Sequence, residues 1–196
     1  GIPILIAGFV GLYNIGSIPG AIQYSLPGVL GCVALMFSLK SFTERKNVKL
    51  SWILIIMNHL WIALAISFNE NFGFYEIVIY LSGVIVFGIV GFGCLRALRI
   101  LEKSINLDRF HGHSFMYPGL ALVFLIACLA VAGFPITPTF IGEDLILTHI
   151  HEHQVFLAFC AALSFIINGL AIVRIYARVF LGPHVHSMYD MAYRSS

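Results

Sequence analysis

The stretch "GFPITPTFIGEDL", Gly133 to Leu145, decides how this chain folds, because it sets two prolines and two adjacent carboxylates, Glu143 and Asp144, inside one of the most apolar parts of the sequence. Proline inside a helix removes a backbone donor and clashes with the preceding turn. An ionised acid in apolar surroundings is costly unless it is paired. The apolar segment that holds both features runs from Phe115 to Leu147. As one straight helix it would be about 50 Å long at 1.5 Å per residue, whereas a bilayer hydrocarbon core is about 30 Å thick. Two half-helices are therefore expected, Phe115 to about Ala132 and about Phe140 to Leu147, with Gly133, Pro135 and Pro138 forming the break. Backbone freed at membrane depth is tolerated only where protein or water covers it, so this segment should not face lipid.

The rest of the composition fixes the solvent. Of 196 residues, 60% are hydrophobic and only 10% charged, a balance outside the range of soluble domains. The chain reads as an all-α, polytopic transmembrane helix bundle, a single transmembrane domain over 1–196. A net charge of +2, dispersed between apolar runs, excludes a nucleic-acid partner. Cys32, Cys94, Cys128 and Cys160 fall one each in separate apolar segments, without disulfide or zinc spacing, and read as small buried hydrophobes. The opening "GIPILIAGFVGLY" has neither a basic start nor a small-residue cleavage site and does not read as a signal peptide. It is too short to cross alone and is expected to be the tail of a helix that begins upstream in a longer chain.

Working outward from the break, four uninterrupted runs are long enough to span: Pro19 to Phe42, Leu50 to Phe68, Phe74 to Leu98 and Val155 to Leu181. With the interrupted segment they make five crossings. Lys40, Arg45, Lys46 and Lys49 fill one connection, Arg96, Arg99, Lys103 and Arg109 the connection two segments later, and Arg178 and Arg194 follow the last helix. Five crossings put all three groups on one face. The other face receives "NENFG" (69–73) and "THIHEH" (148–153), which hold no lysine or arginine. By the positive-inside rule the basic face is expected to be cytoplasmic, or matrix in an organelle, in a bacterial or organellar inner membrane.

Intramembrane acids are rare and commonly mark ion or proton paths. Glu143 and Asp144 are expected near the start of the second half-helix, where the dipole favours negative charge. Each is either a proton-exchanging group or a helix cap; the break beside Glu143 favours the first for that residue. Desolvation and a nearby cation act on a carboxylate in opposite senses, so such a group can load and release a proton. Arg174, in the last apolar segment, is the candidate cation, while Arg178 reads as an interfacial anchor. His59, next to Asn58 in "IIMNHLWIAL", is either a relay group or an ordinary hydrogen-bonded core histidine. Glu76 reads as solvated at the outer interface. The sets "HIHEH" (149–153), "PHVH" (183–186) and "HGH" (111–113) lack the spacing of a closed metal site, and the first two fall on opposite faces. No phosphate loop, triad order, CxxC or haem motif is present, so no catalytic centre, cofactor or metal is expected.

The pattern G-F-P-x-x-P-x-F-x-G-E (133–143), followed by "VRIYARVFLG" (173–182), resembles the antiporter-like membrane subunits of respiratory complex I, a family shared with multi-subunit sodium/proton antiporters and membrane-bound hydrogenases. The resemblance covers about residues 20 to 183. It implies that the chain is the C-terminal part of a longer subunit, half of an inverted-repeat fold. Phe140, Gly142 and Glu143 match the family's last membrane-embedded protonatable site, Arg174 a basic residue of the following helix, and His59 the neighbourhood of earlier polar positions. The implied function is proton or sodium translocation alongside other membrane subunits in the lipid bilayer. In one respect the chain departs from the family pattern: the middle of Phe74 to Leu98 holds no histidine or lysine. That departure leaves open a structural membrane subunit with a decayed relay, anchoring a partner enzyme such as an inorganic-carbon uptake complex.

Overall fold

In hydrocarbon every backbone N–H and C=O must find a partner within the chain, so apolar runs of this length fold as helices. The computed structural model describes residues 2–12, 20–69, 74–102 and 105–183, with backbone alone at 2, 12 and 20–23. Among them are seven helices: α1 Ile2–Leu12, α2 Gly20–Thr43, α3 Val48–Ile66, α4 Phe74–Leu101, α5 Pro118–Val131, α6 Pro138–Thr148 and α7 Val155–Phe180. Four of them, α2, α3, α4 and α7, are long and apolar enough to cross a membrane. The chain is an integral membrane helix bundle. His184, His186, Arg194, Lys103 and 70–73 lie outside the described residues.

Packing places α3 at the centre. It is buried along most of its length, with α2 and α4 on either side, α7 against α2, and the α5–α6 pair against α4. Trp52 crosses from α3 to α4, its indole N–H donating to the Gly88 carbonyl at 2.9 Å. Two apolar clusters form, one around Trp61, Leu64, Tyr80 and Ile146, the other around Trp52, Phe124, Ile175 and Phe180.

The connections gather at opposite ends, as the charge pattern requires. At the basic end the Leu107 N–H donates to the Arg45 carbonyl, and the N–H groups of His111, Gly112, His113 and Ser114 donate to carbonyls of Arg178, Leu181, Val179 and Phe180. At the other end Asn69 Nδ2 donates to the His149 carbonyl at 3.0 Å and to Gln154 Oε1 at 2.8 Å.

The interrupted segment differs from expectation in its bounds. Residues 111–114 spend their backbone donors on the carbonyl end of α7, so α5 begins at Pro118 and not at Phe115. It stops at Gly133, whose φ of 69° is left-handed backbone that glycine adopts without strain. The Phe134 N–H then reaches back to the Leu129 carbonyl at 3.0 Å, the bond that closes a Schellman motif. Helix α6 starts at Pro138, two residues earlier than expected. Thr137 is its cap and proline takes the first position, where a missing donor costs nothing.

Candidate functional site

The early start of α6 moves both acids. Glu143 and Asp144 sit in the middle of an 11-residue helix whose first turn holds no acid, so neither caps it and the dipole argument for them fails. Successive helix positions point about 100° apart, which separates the two. Asp144 is exposed, whereas Glu143 is half-buried and turns back toward the break. A methyl group added at Gly133 would clash with Glu143 Oε2, so the carboxyl lies directly against the backbone of the break. Among the described residues no group hydrogen-bonds to that carboxylate.

Gly142, one residue earlier, provides the contact with α4. A Cβ there would stand 2.6 Å from both Cα and Cβ of Tyr80; only a residue without a side chain allows so close a crossing. Tyr80 thereby packs on α6 at the residue next to Glu143. It is fully buried, and its hydroxyl lies 2.7 Å from His59 Nδ1 on α3. His59 is buried as well, packed against Phe165, and its Nε2 has no partner. Three helices thus bring an imidazole, a phenol and a carboxylate to one region: His59 from α3, Tyr80 from α4 and Glu143 from α6.

A seam of buried polar groups runs from this region toward the basic end. Asn58 Nδ2 donates to the Ala34 carbonyl, and Asn168 Nδ2 on α7 donates to Asn58 Oδ1, both at 2.7 Å. Ser38 Oγ donates to the Ser164 carbonyl at 3.1 Å, and Ser51 Oγ to the Ser41 carbonyl at 2.8 Å. The Asn168 Oδ1 and Ser164 Oγ atoms are buried without partners. Isolated buried polar atoms are expensive in an apolar core; here they line up across α2, α3 and α7.

Arg174 does not join Glu143. It lies about 29 Å along α7 from the opposite end of that helix, and its guanidinium holds the carbonyl end of α2. Nη2 donates to the Ser41 and Glu44 carbonyls, each at 2.9 Å, and Nη1 donates to the Phe42 carbonyl. The planar fork stacks on Phe42, 5.0 Å from the ring centroid. These carbonyls have no partner within α2, so a fixed cation satisfies both their hydrogen bonds and the negative end of the dipole. Arg178 lies 4.3 Å from the centroid of Phe110 at the basic surface, as an interfacial anchor would.

The histidine sets are dispersed. His151 and His153 stack on each other, and His153 on Tyr24, at the end opposite the basic loops. His111 Nε2 donates to the Asn106 carbonyl at 3.0 Å, and the ring stacks on His113. Partial burial holds the His111 imidazole below its ordinary range, and Arg109 adds to that effect, against Asn106 and Glu102.

Sequence reading missed Tyr80 and Asn168. A tyrosine or asparagine in an apolar helix carries a signal of its own, because its polar tip needs a partner once buried. Which partner it finds is decided by packing that the sequence does not print.

A family model described as "NADH:quinone oxidoreductase/Mrp antiporter, TM" matches residues 4–168. The NADH-ubiquinone oxidoreductase chain 4 of Dictyostelium citrinum is 26% identical over 172 residues, 86% of this chain and 41% of that protein. The NADH-quinone oxidoreductase subunit M of Rickettsia prowazekii (strain Madrid E) is 35% identical over 119 residues, 57% of this chain and 24% of that protein. The subunit M of Rickettsia bellii (strain RML369-C) is 36% identical over 77 residues, 39% of this chain and 16% of that protein. The chain thus spans about two fifths or less of the length of these relatives.

Proposed function

Because the chain belongs to the NADH:quinone oxidoreductase/Mrp antiporter family of membrane proteins, we propose that it carries protons across a membrane as part of such a subunit, with Glu143 as the exchanging carboxylate. The observation that carries this reading is the convergence of His59, Tyr80 and Glu143 from three helices. A phenol can accept a proton on its oxygen while giving up its own, and an imidazole does the same across its two nitrogens. Tyr80 supplies from α4 the exchangeable group that the absence of histidine and lysine in the middle of that helix left in question. Protons are favoured over sodium because the two groups leading to Glu143 are proton carriers and not cation ligands.

In this reading a proton enters along the seam of Asn168, Asn58 and the serines, with water bridging the unpartnered atoms. It passes from His59 to the Tyr80 hydroxyl and, across a bridging water, to Glu143, which releases it toward the end formed by 67–69 and 149–154. The gap in helical backbone at Gly133 keeps the carboxylate beside polar main chain instead of lipid. Arg174 acts at a distance by fixing the end of α2, the helix that presents the Ala34 carbonyl to Asn58. The end carrying the basic loops faces the cytoplasm or matrix, and other membrane subunits flank the chain.

The test is Glu143→Gln in the intact complex, reconstituted into vesicles. The variant should assemble normally and lose most coupled proton movement, with Glu143→Asp retaining part of it. Unchanged pumping in the glutamine variant would contradict the assignment and leave the chain as a structural platform for its partners.

A further inference from the structure

The basic end holds a cavity that the proton path does not use. It has a volume of about 220 Å³ and lies between the start of α3 and the end of α4, lined by Lys46, Asn47, Lys49 and Arg99 over a floor of Val48, Leu95 and Ile105. Among the described residues none of the three cations forms an ion pair. The nearby acids are engaged elsewhere. Glu44 accepts from the Lys46 and Asn47 N–H groups and pairs with Lys40, while Glu102 faces His113 and Tyr117. The first turn of α3 opens beside the same cavity and adds the positive end of its dipole.

A second cavity, of about 240 Å³, continues the same α3–α4 seam toward the membrane interior. Its lining is wholly apolar: Trp52, Ile53, Ile56, Met57, Ile85, Gly88, Ile89 and Phe92. Ile53, Ile85 and Ile89 are exposed there. Phe92 joins the two cavities, since it lines the apolar one while Lys49 Nζ, which lines the basic one, stands 5.9 Å from its ring centroid. From Arg99 to Ile85 the seam runs about 21 Å along α4.

We propose that this seam binds one anionic phospholipid, its phosphate among Lys46, Lys49 and Arg99 and one acyl chain along the groove over Gly88 and Ile89. A free phosphate would need only the basic cavity, and a neutral lipid only the groove. The two placed end to end at a membrane surface match a molecule that is charged at one end and apolar along the rest. Basic pockets between spanning helices are the usual receptors for such headgroups. The lipid also closes the seam between α3 and α4, the two helices that carry His59 and Tyr80.

The experiment uses the intact complex, delipidated and titrated with dioleoyl phosphatidylglycerol, dioleoyl phosphatidylcholine or inorganic phosphate, with bound lipid counted by native mass spectrometry. Wild type should retain the anionic lipid in preference to the neutral one. Removing the charges by Lys46→Gln, Lys49→Gln and Arg99→Gln should weaken retention by about fivefold per charge. Filling the groove by Ile89→Trp should weaken it with all three cations in place. Equal retention in the charge variant would overturn the proposal. So would inorganic phosphate displacing the lipid in wild type and binding unchanged in Ile89→Trp, which marks a simple anion site. A photo-crosslinker at position 89 that captures protein and no lipid in the assembled complex would overturn it too.

Discussion

Glu143 owes its position to the two glycines around it. Gly142 lets α6 approach Tyr80, and Gly133 both turns the chain and leaves room for the carboxyl. Gly133→Ala should cost about 1–3 kcal/mol from its left-handed backbone, and its methyl group would push the carboxyl away from the break. Thermal unfolding of the purified complex should show the loss, together with slowed proton movement; an alanine variant as stable as wild type would argue against this geometry. Tyr80→Phe separates packing from proton transfer, since it keeps the ring against Gly142 and deletes only the hydroxyl that meets His59. We expect a folded complex with proton movement reduced several-fold. The sequence displays Glu143 openly, because an acid beside a broken apolar segment has few structural excuses. It hides Tyr80, which looks like any aromatic in an apolar helix until tertiary packing pairs its hydroxyl.

Among elements, the break between α5 and α6 is legible in the sequence because the segment is too long for the membrane and carries helix-stopping residues. Its bounds are less so. Pro135 and Pro138 do not kink a continuous helix; Pro138 opens a new one, and that shift of two residues takes both acids out of the first turn. The contacts of Arg174 are also decided by packing. An arginine in an apolar segment suggests a carboxylate partner, yet here the carbonyls at the end of α2 outcompete any acid. Arg174→Gln should therefore destabilise the bundle by about 1–3 kcal/mol, the scale of hydrogen bonds to a charged group. Arg174→Lys should rescue it only in part, because one ammonium cannot span the fork. A variant that lost pumping with no loss of stability would return Arg174 to the proton path. At the same end partial burial holds the His111 imidazole below its ordinary range. Its contribution is present above pH 6.5 and is lost as pH falls, because the unfolded chain then binds the proton more readily. Between pH 7 and 5 the melting temperature of His111→Gln should fall less steeply than that of wild type.

For the molecule as a whole, topology is the part most fully written in the sequence. Basic and non-basic connections alternate, and the structure gathers them at opposite ends through hydrogen bonds between loops. What the sequence withholds is the outer face. Ile136, in the break, is 95% exposed and has a φ of 91°, which a β-branched residue adopts only under strain. Irregular backbone at that depth needs protein over it. A photo-crosslinker at position 136 should accordingly yield protein adducts in the assembled complex, and adducts confined to lipid would refute that expectation. The proton path from Asn168 to Glu143 is the central claim, and infrared difference spectroscopy of the intact complex across a pH step tests it most directly. The account predicts a protonated-carboxyl band that disappears in Glu143→Gln and shifts in Tyr80→Phe. The same band persisting unchanged in Glu143→Gln would contradict it.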